Sequence, residues 1–148
     1  MNVVLVAPEI PQNTGSIGRL CVNLGCRLHL VEPLGFSLEE KMLRRAGLDY
    51  WPHLDLTVHS SWASFLEKEE PEQLFLATTK TDRCTYDHEF TRDEYIVFGS
   101  ESKGLASEIL EAYPDHLYSL PMPGAFHRSI NLQSAVTAVL FEALRQQR

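Results

Sequence analysis

The sequence predicts an α/β domain built on a mostly parallel sheet flanked by helices. Two observations carry this. Short, near-continuous apolar runs rich in β-branched residues recur along the chain, which is how strands buried on both faces read. Stretches with helical period separate them, as in a βαβ fold. The length agrees, because 148 residues suit a single domain, 1–148, that needs neither disulfide nor metal to fold.

The elements follow in order. Val3 to Val6 reads as a buried strand. Ile17, Leu20, Cys21 and Leu24 then recur at helical spacing, and Gly25 is a C-cap candidate. Leu28 to Val31 is the next strand, and Thr57-Val58 adds a weak one. Glu39 to Arg45, Trp62 to Lys68 and Leu105 to Ala112 are helical, while Leu74 to Thr78, Tyr95 to Phe98 and Leu117 to Leu120 are strands. In the last helix Leu132, Ala135, Val136, Val139, Leu140, Ala143 and Leu144 keep the helical period, and Ala138 and Phe141 widen the apolar stripe. A stripe this wide fits either a central core helix or one shared between core and a subunit interface.

Composition narrows the function classes. Thirteen Lys and Arg against twenty Asp and Glu leave a formal charge of −7. That argues against coating nucleic acid or an anionic membrane by bulk charge, though not against a local basic track. The acids crowd into 67–72 and 82–94, away from the first and third loops described next. Cys21, Cys26 and Cys84 contain no Cys-x-x-Cys pair and cannot form a closed disulfide set, so reduced, buried thiols and a cytoplasmic setting are expected. No apolar run approaches the roughly 20 residues of a membrane span. The six histidines show no ligand spacing, so no metal is expected.

Three strand-to-helix loops ask for a ligand, because open parallel sheets bind ligands at the carboxyl ends of their strands. The first runs from Pro8 to Arg19. Its prolines set the entry, Asn13 or Thr14 offers a helix cap, and Gly15 and Gly18 admit another backbone. The second is Phe98-Gly99-Ser100-Glu101-Ser102-Lys103-Gly104-Leu105. Its glycines have the outer spacing of a P-loop, but Leu105-Ala106 stand where Lys and Ser/Thr belong, and no Gly-x-Gly-x-x-Gly occurs anywhere. The third runs from Leu120 through Pro121, Met122, Pro123, Gly124, Phe126, His127 and Arg128 to Ser129 and Asn131, either of which can cap the last helix. Together the loops favour a nucleotide-like ligand.

These loops, Pro-Glu-Ile-Pro-Gln-Asn-Thr-Gly-x-x-x-Arg, Phe-Gly-Ser-Glu-x-x-Gly-Leu and Leu-Pro-Met…Arg-Ser-Ile-Asn-Leu, resemble in order and spacing the three motifs of the SpoU branch of SPOUT methyltransferases. Arg44-Arg45-Ala46-Gly47-Leu48-Asp49-Tyr50-Trp51 is similar to its TrmL- or YibK-like subgroup. The resemblance implies a SPOUT-type domain with a C-terminal trefoil knot, acting as a homodimer. It implies methyl transfer from S-adenosylmethionine to a ribose 2′-hydroxyl, with the wobble cytidine or uridine of leucine tRNAs as target. Another tRNA or rRNA nucleotide, or a non-catalytic RNA-binding module, is the alternative. Carried over position by position, Ala77, Thr78, Gly99, Leu120, Met122, Ser129 and Asn131 hold the cofactor, Asn13 and Glu101 organise the site, and Arg19 is the catalytic residue. Arg44, Arg45, Lys103 and Arg128 are the expected RNA contacts. A guanidinium stays protonated at neutral pH, so Arg19 suits a phosphate-positioning, oxyanion-stabilising role better than that of a base.

Overall fold

The computed structural model describes residues 1–39, 49–126 and 128–148. Most of the helix expected over Glu39 to Arg45 therefore lies outside the described residues, as do Arg44, Arg45 and His127. Six strands form one sheet: β1 Asn2–Val6, β2 Arg27–Val31, β3 Leu56–His59, β4 Leu74–Ala77, β5 Tyr95–Phe98 and β6 Leu117–Tyr118. Among the described residues four α-helices accompany them: α1 Pro11–Leu24, α2 Trp62–Glu69, α3 Ser107–Ala112 and α4 Leu132–Gln146. The weak strand at Thr57-Val58 is a full strand on the sheet edge, and the strand expected to reach Leu120 stops at Tyr118.

The spatial order is β3-β2-β1-β5-β4-β6, and every pairing is parallel. Alternating strand residues feed two cores. Val3, Leu5, Leu28, Leu30, Ile96 and Phe98 pack with residues of α1 and α4 on one face. Val4, Val31, Leu76 and Val97 pack with Phe65 of α2 and Ile109 and Leu110 of α3 on the other. Burial on both faces explains why the inner positions of these strands are mostly apolar, with His29 in β2 an exception. The chain order switches direction between β1 and β5, and a doubly wound sheet binds its ligand beside that point, at the strands' carboxyl ends.

Helix ends place the loops. Pro11 opens α1 with Ile10 as its N-cap, so Asn13 and Thr14 are not caps but buried residues of the first turn. Proline fits there because its missing N–H would be unpaired anyway. Gly25 closes α1 in the left-handed region at φ 65°. Asn131, rather than Ser129, caps α4, its side chain accepting from the backbone N–H of Gln133 at 3.0 Å and Ser134 at 3.3 Å. The wide stripe of α4 divides: Leu132, Val136, Val139, Leu140 and Ala143 are buried, while Phe141 stays exposed.

Candidate functional site

A cavity of about 360 Å³ opens at the carboxyl ends of β4, β5 and β6. All seven residues expected to hold the cofactor line it: Ala77, Thr78, Gly99, Leu120, Met122, Ser129 and Asn131. So do Asn13, Glu101 and Lys103, which brings all three sequence loops to one opening. Its size is within the roughly 300–1,000 Å³ usual for small-molecule sites.

Glu101 joins the loops. Its carboxylate accepts the backbone N–H of Glu9 at 2.7 Å, that of Ile10 at 3.1 Å and the side-chain amide of Asn13 at 3.2 Å. A carboxylate from the second loop thus satisfies N–H groups at the start of α1, where the helix end favours negative charge. Glu9 answers in the other direction. It accepts the N–H of Ser102 at 2.9 Å and its hydroxyl at 2.7 Å. Those hydrogen bonds, the hydroxyl first, hold the Glu9 carboxyl below the usual carboxylate range, and Lys103 adds to the effect. Asn131 completes the latch by donating to Asn13 Oδ1 at 3.2 Å.

Gly99 is required by space. A Cβ there would lie 2.0 Å from the carbonyl carbon of Gly104, because the loop folds back on itself through Ser100 and Gly104. Gly104 supplies the turn at φ 69°. Gly18 serves a different purpose from the one expected. It faces side chains, and an added Cβ would meet Trp51 and Leu54 at 3.1 Å. The Tyr50 hydroxyl donates to the carbonyl of Gly15, so residues 50–54 lean on α1 through its glycines.

The remaining predicted residues are not all gathered in. Arg19 is exposed and absent from the cavity lining, and its guanidinium lies 5.8 Å from the centre of the Tyr50 ring. Six residues beyond Asn13, it projects about 120° away around the helix. Arg128 lines an adjoining cavity of about 540 Å³ with Met122 and Ser129. Asp82 and Arg83 share that lining, so the acidic stretch 82–94 is not kept away from the third loop as composition suggests. Residues 83–85 run beside Ser119, with Ser119 N–H donating to the Arg83 carbonyl at 2.8 Å. Lys80 in the first cavity and Arg83 in the second are cations that motif reading missed. They lie outside any motif, in the loop after β4, and only strand order brings that loop here.

Histidine spacing along the chain gives no sign of one cluster. Parallel pairing of β2 with β3 and the return of α2 put His29, His59 and Glu69 together, although they are far apart in sequence. Cys21 and Cys26 are buried as expected, and Cys84 is only half-buried. Among the described residues, no helix is long and apolar enough to cross a membrane.

Residues 1–141 match the SpoU rRNA methylase family. A tRNA (cytidine(34)-2′-O)-methyltransferase of Burkholderia ambifaria is 48% identical, the match covering 98% of this chain and 94% of the relative. A solved structure described as giving insight into 2′-OH methylation of C/U34 on tRNA superposes with a TM-score of 0.90 at 44% identity, covering 99% of this chain and 95% of the other. The SpoU methyltransferase AviRb of Streptomyces viridochromogenes, solved in complex with AdoMet, has a TM-score of 0.84 at 26% identity, covering 99% of this chain and 60% of the other.

Proposed function

The chain belongs to the SpoU methylase family of RNA-methylating enzymes, and from that membership we propose that it methylates the ribose 2′-hydroxyl of the wobble nucleotide, position 34, of tRNA. Its methyl donor in this reading is S-adenosylmethionine, and leucine tRNAs with cytidine or uridine at that position are the substrates. The observation that carries it is the latching of three loops, the second to the first by Glu101 and the third to the first by Asn131, around one cavity lined by all seven expected cofactor residues. The names of the Burkholderia relative and of the C/U34 structure support the same target.

The cavity suits the cofactor. Gly99 lets the second loop fold its Gly104–Leu105 backbone tightly against the end of β5 at the cavity wall. Phe98, Leu120 and Met122 offer apolar walls, while Ser129 and Asn131 offer donors and acceptors. Bound S-adenosylmethionine would supply an electrophilic methyl group on a sulfonium. The protein's task is then to hold the ribose hydroxyl in line with it and exclude water. Arg19 clamps a substrate phosphate and stabilises the oxyanion as the hydroxyl loses its proton to a phosphate oxygen or water. No catalytic metal enters this scheme.

Arg19 lies outside the lining of its own chain's cavity, which supports a homodimer in which one copy's Arg19 serves the other's site. Exposed Phe141 on α4 and Ile10 beside the cavity are apolar surface for such an interface. In this reading the segment from β6 through α4 is the knotted part of the domain. Lys103 and Arg128 contribute to a local basic track for RNA, and Arg44 and Arg45 are further RNA contacts in this reading, so binding weakens steeply with salt.

The test is to incubate the protein with labelled S-adenosylmethionine and total tRNA, then map the modified ribose. Label at position 34 of leucine tRNAs is expected. Label elsewhere, in tRNA or rRNA, moves the target, and no label in any RNA sinks the reading. Arg19→Ala should abolish turnover with cofactor affinity nearly unchanged; collapse of cofactor binding would refute its assigned role.

A further inference from the structure

The opposite face of the sheet from α1 holds a cluster that methyl transfer does not use. His29 of β2 and His59 of β3 are fully buried side chains, and Glu69 ends α2 with its side chain 10% exposed. His29 Nδ1 lies 3.1 Å from His59 Nε2, and each lies 3.8 Å from Glu69 Oε1. The second Glu69 oxygen accepts the Tyr95 hydroxyl at 3.1 Å. Phe65 and Tyr95 close around the two imidazoles.

We propose that His29, His59 and Glu69 bind a divalent transition metal of the zinc class, which ties the edge strand β3 and helix α2 to the body of the sheet.

The distances select a metal over a shared proton. A proton between the two rings satisfies one hydrogen bond at 3.1 Å and leaves Glu69 Oε1 beyond hydrogen-bond reach of both nitrogens. A metal joins all three atoms. Separations of 3.1, 3.8 and 3.8 Å define a triangle whose centre lies about 2.1 Å from each corner. That is the bond length of zinc to imidazole nitrogen and carboxylate oxygen, about 2.0–2.2 Å. The donor set agrees, since two imidazoles and a carboxylate suit zinc and its neighbours, not the all-oxygen sites of magnesium or calcium.

The surroundings agree too. Burial holds both imidazoles below their ordinary pKa, so their lone pairs are free at neutral pH. Lys68 and Arg27 are the cations that act on the rings from nearby, and a dication between the three ligand atoms would face the part-buried Glu69 carboxylate directly. The Tyr95 hydroxyl acts on Glu69 as an outer partner that fixes a ligating carboxylate. Metal binding leaves the outward nitrogens, His29 Nε2 and His59 Nδ1, as buried N–H groups without a hydrogen-bonding partner atom. The free pair already buries one such N–H, so the metal adds one more. Phe65 packs against both imidazoles, its ring centre 5.9 Å from that of His29 and 5.3 Å from that of His59.

The experiment uses the full chain purified without a histidine tag, treated with chelator and titrated with Co(II) and then Zn(II). One equivalent of Co(II) should give the d–d absorption of a low-coordinate nitrogen–oxygen site, and Zn(II) should displace it. The melting temperature should rise with Zn(II) and return to its starting value with chelator. Glu69→Gln keeps the shape and removes the charged ligand, and should weaken binding at least about 100-fold. His59→Gln should do the same. Sub-stoichiometric binding, a thiolate charge-transfer band, an unmoved melting temperature, or binding by both variants as tight as by the parent would each overturn the site. Methylation of RNA is not among the readouts, so this proposal and the proposed function fail independently.

Discussion

Replacing Glu101 by Gln tests whether one carboxylate assembles the cavity proposed for the cofactor. Glu101 Oε2 accepts the N–H of Glu9 at 2.7 Å, and Oε1 accepts those of Ile10 and Asn13 at 3.1 and 3.2 Å. A glutamine has one acceptor oxygen and one amide that only donates. Its best orientation keeps the two bonds at Oε1 and turns the amide toward the Glu9 N–H, donor against donor. The loss is then one charge-assisted hydrogen bond with its donor left unpaired, and charge assistance on the other two. Charge-assisted bonds contribute roughly 1.5–3 kcal/mol against about 1 for neutral ones. Water reaches the exposed Ile10 bond, which softens that part. A total cost of about 2–4 kcal/mol follows, or a fall in melting temperature of roughly 6–12 °C for a domain of this size. Urea unfolding measures the first, and calorimetric titration with S-adenosylmethionine measures the consequence for the cavity, expected as weaker binding. A variant that melts within about 1 °C of the parent would refute the latch. One that is destabilised yet binds cofactor normally would separate folding from site assembly and refute the organising role.

Three further outcomes follow from local geometry. Gly99→Ala places a methyl 2.0 Å from the Gly104 carbonyl carbon, so it should cost more than about 2 kcal/mol and remove cofactor binding, read by thermal melting and calorimetry. Asn131→Ala deletes the α4 cap and the bond to Asn13, and urea unfolding should show a loss of about 1–2 kcal/mol, whereas Asn131→Asp should restore the cap but not the donation to Asn13. With chelator present, stability should fall as pH drops from about 6.5, the ordinary imidazole value, towards about 4, where burial holds the folded His29. Unfolded rings take up protons across that window while the folded ones do not, so the slope should shrink in His29→Gln if that variant folds, with His59 supplying part of what remains, and unfolding curves at stepped pH read it directly.

Much of the fold was legible because burial on both faces of a parallel strand leaves a dense apolar run. Val3 to Val6, Leu28 to Val31 and Tyr95 to Phe98 all announce themselves that way. β3 was faint because an edge strand has one neighbour and tolerates exposure, as at Val58. The candidate site was legible for a different reason. Close backbone contact at Gly99 and helix starts at Pro11 and Asn131 demand particular residue types, so the motifs survive as spelling. Capping misread Asn13 because proline at the first helical position shifts the cap back to Ile10.

The sequence by itself determined the element types, the three ligand loops and the family, because each depends on residues close together along the chain. Tertiary structure decided which distant residues share a point in space. It set Glu101 on the start of α1, brought Lys80 and Arg83 to the cavities, left Arg19 outside the lining of its own chain's cavity, and packed His29 and His59 against Glu69. Strand order governs those meetings, and strand order follows from how two apolar faces are covered at once. The charge of −7 illustrates the same division: composition counts charges, and only the fold decides which of them border the cavity.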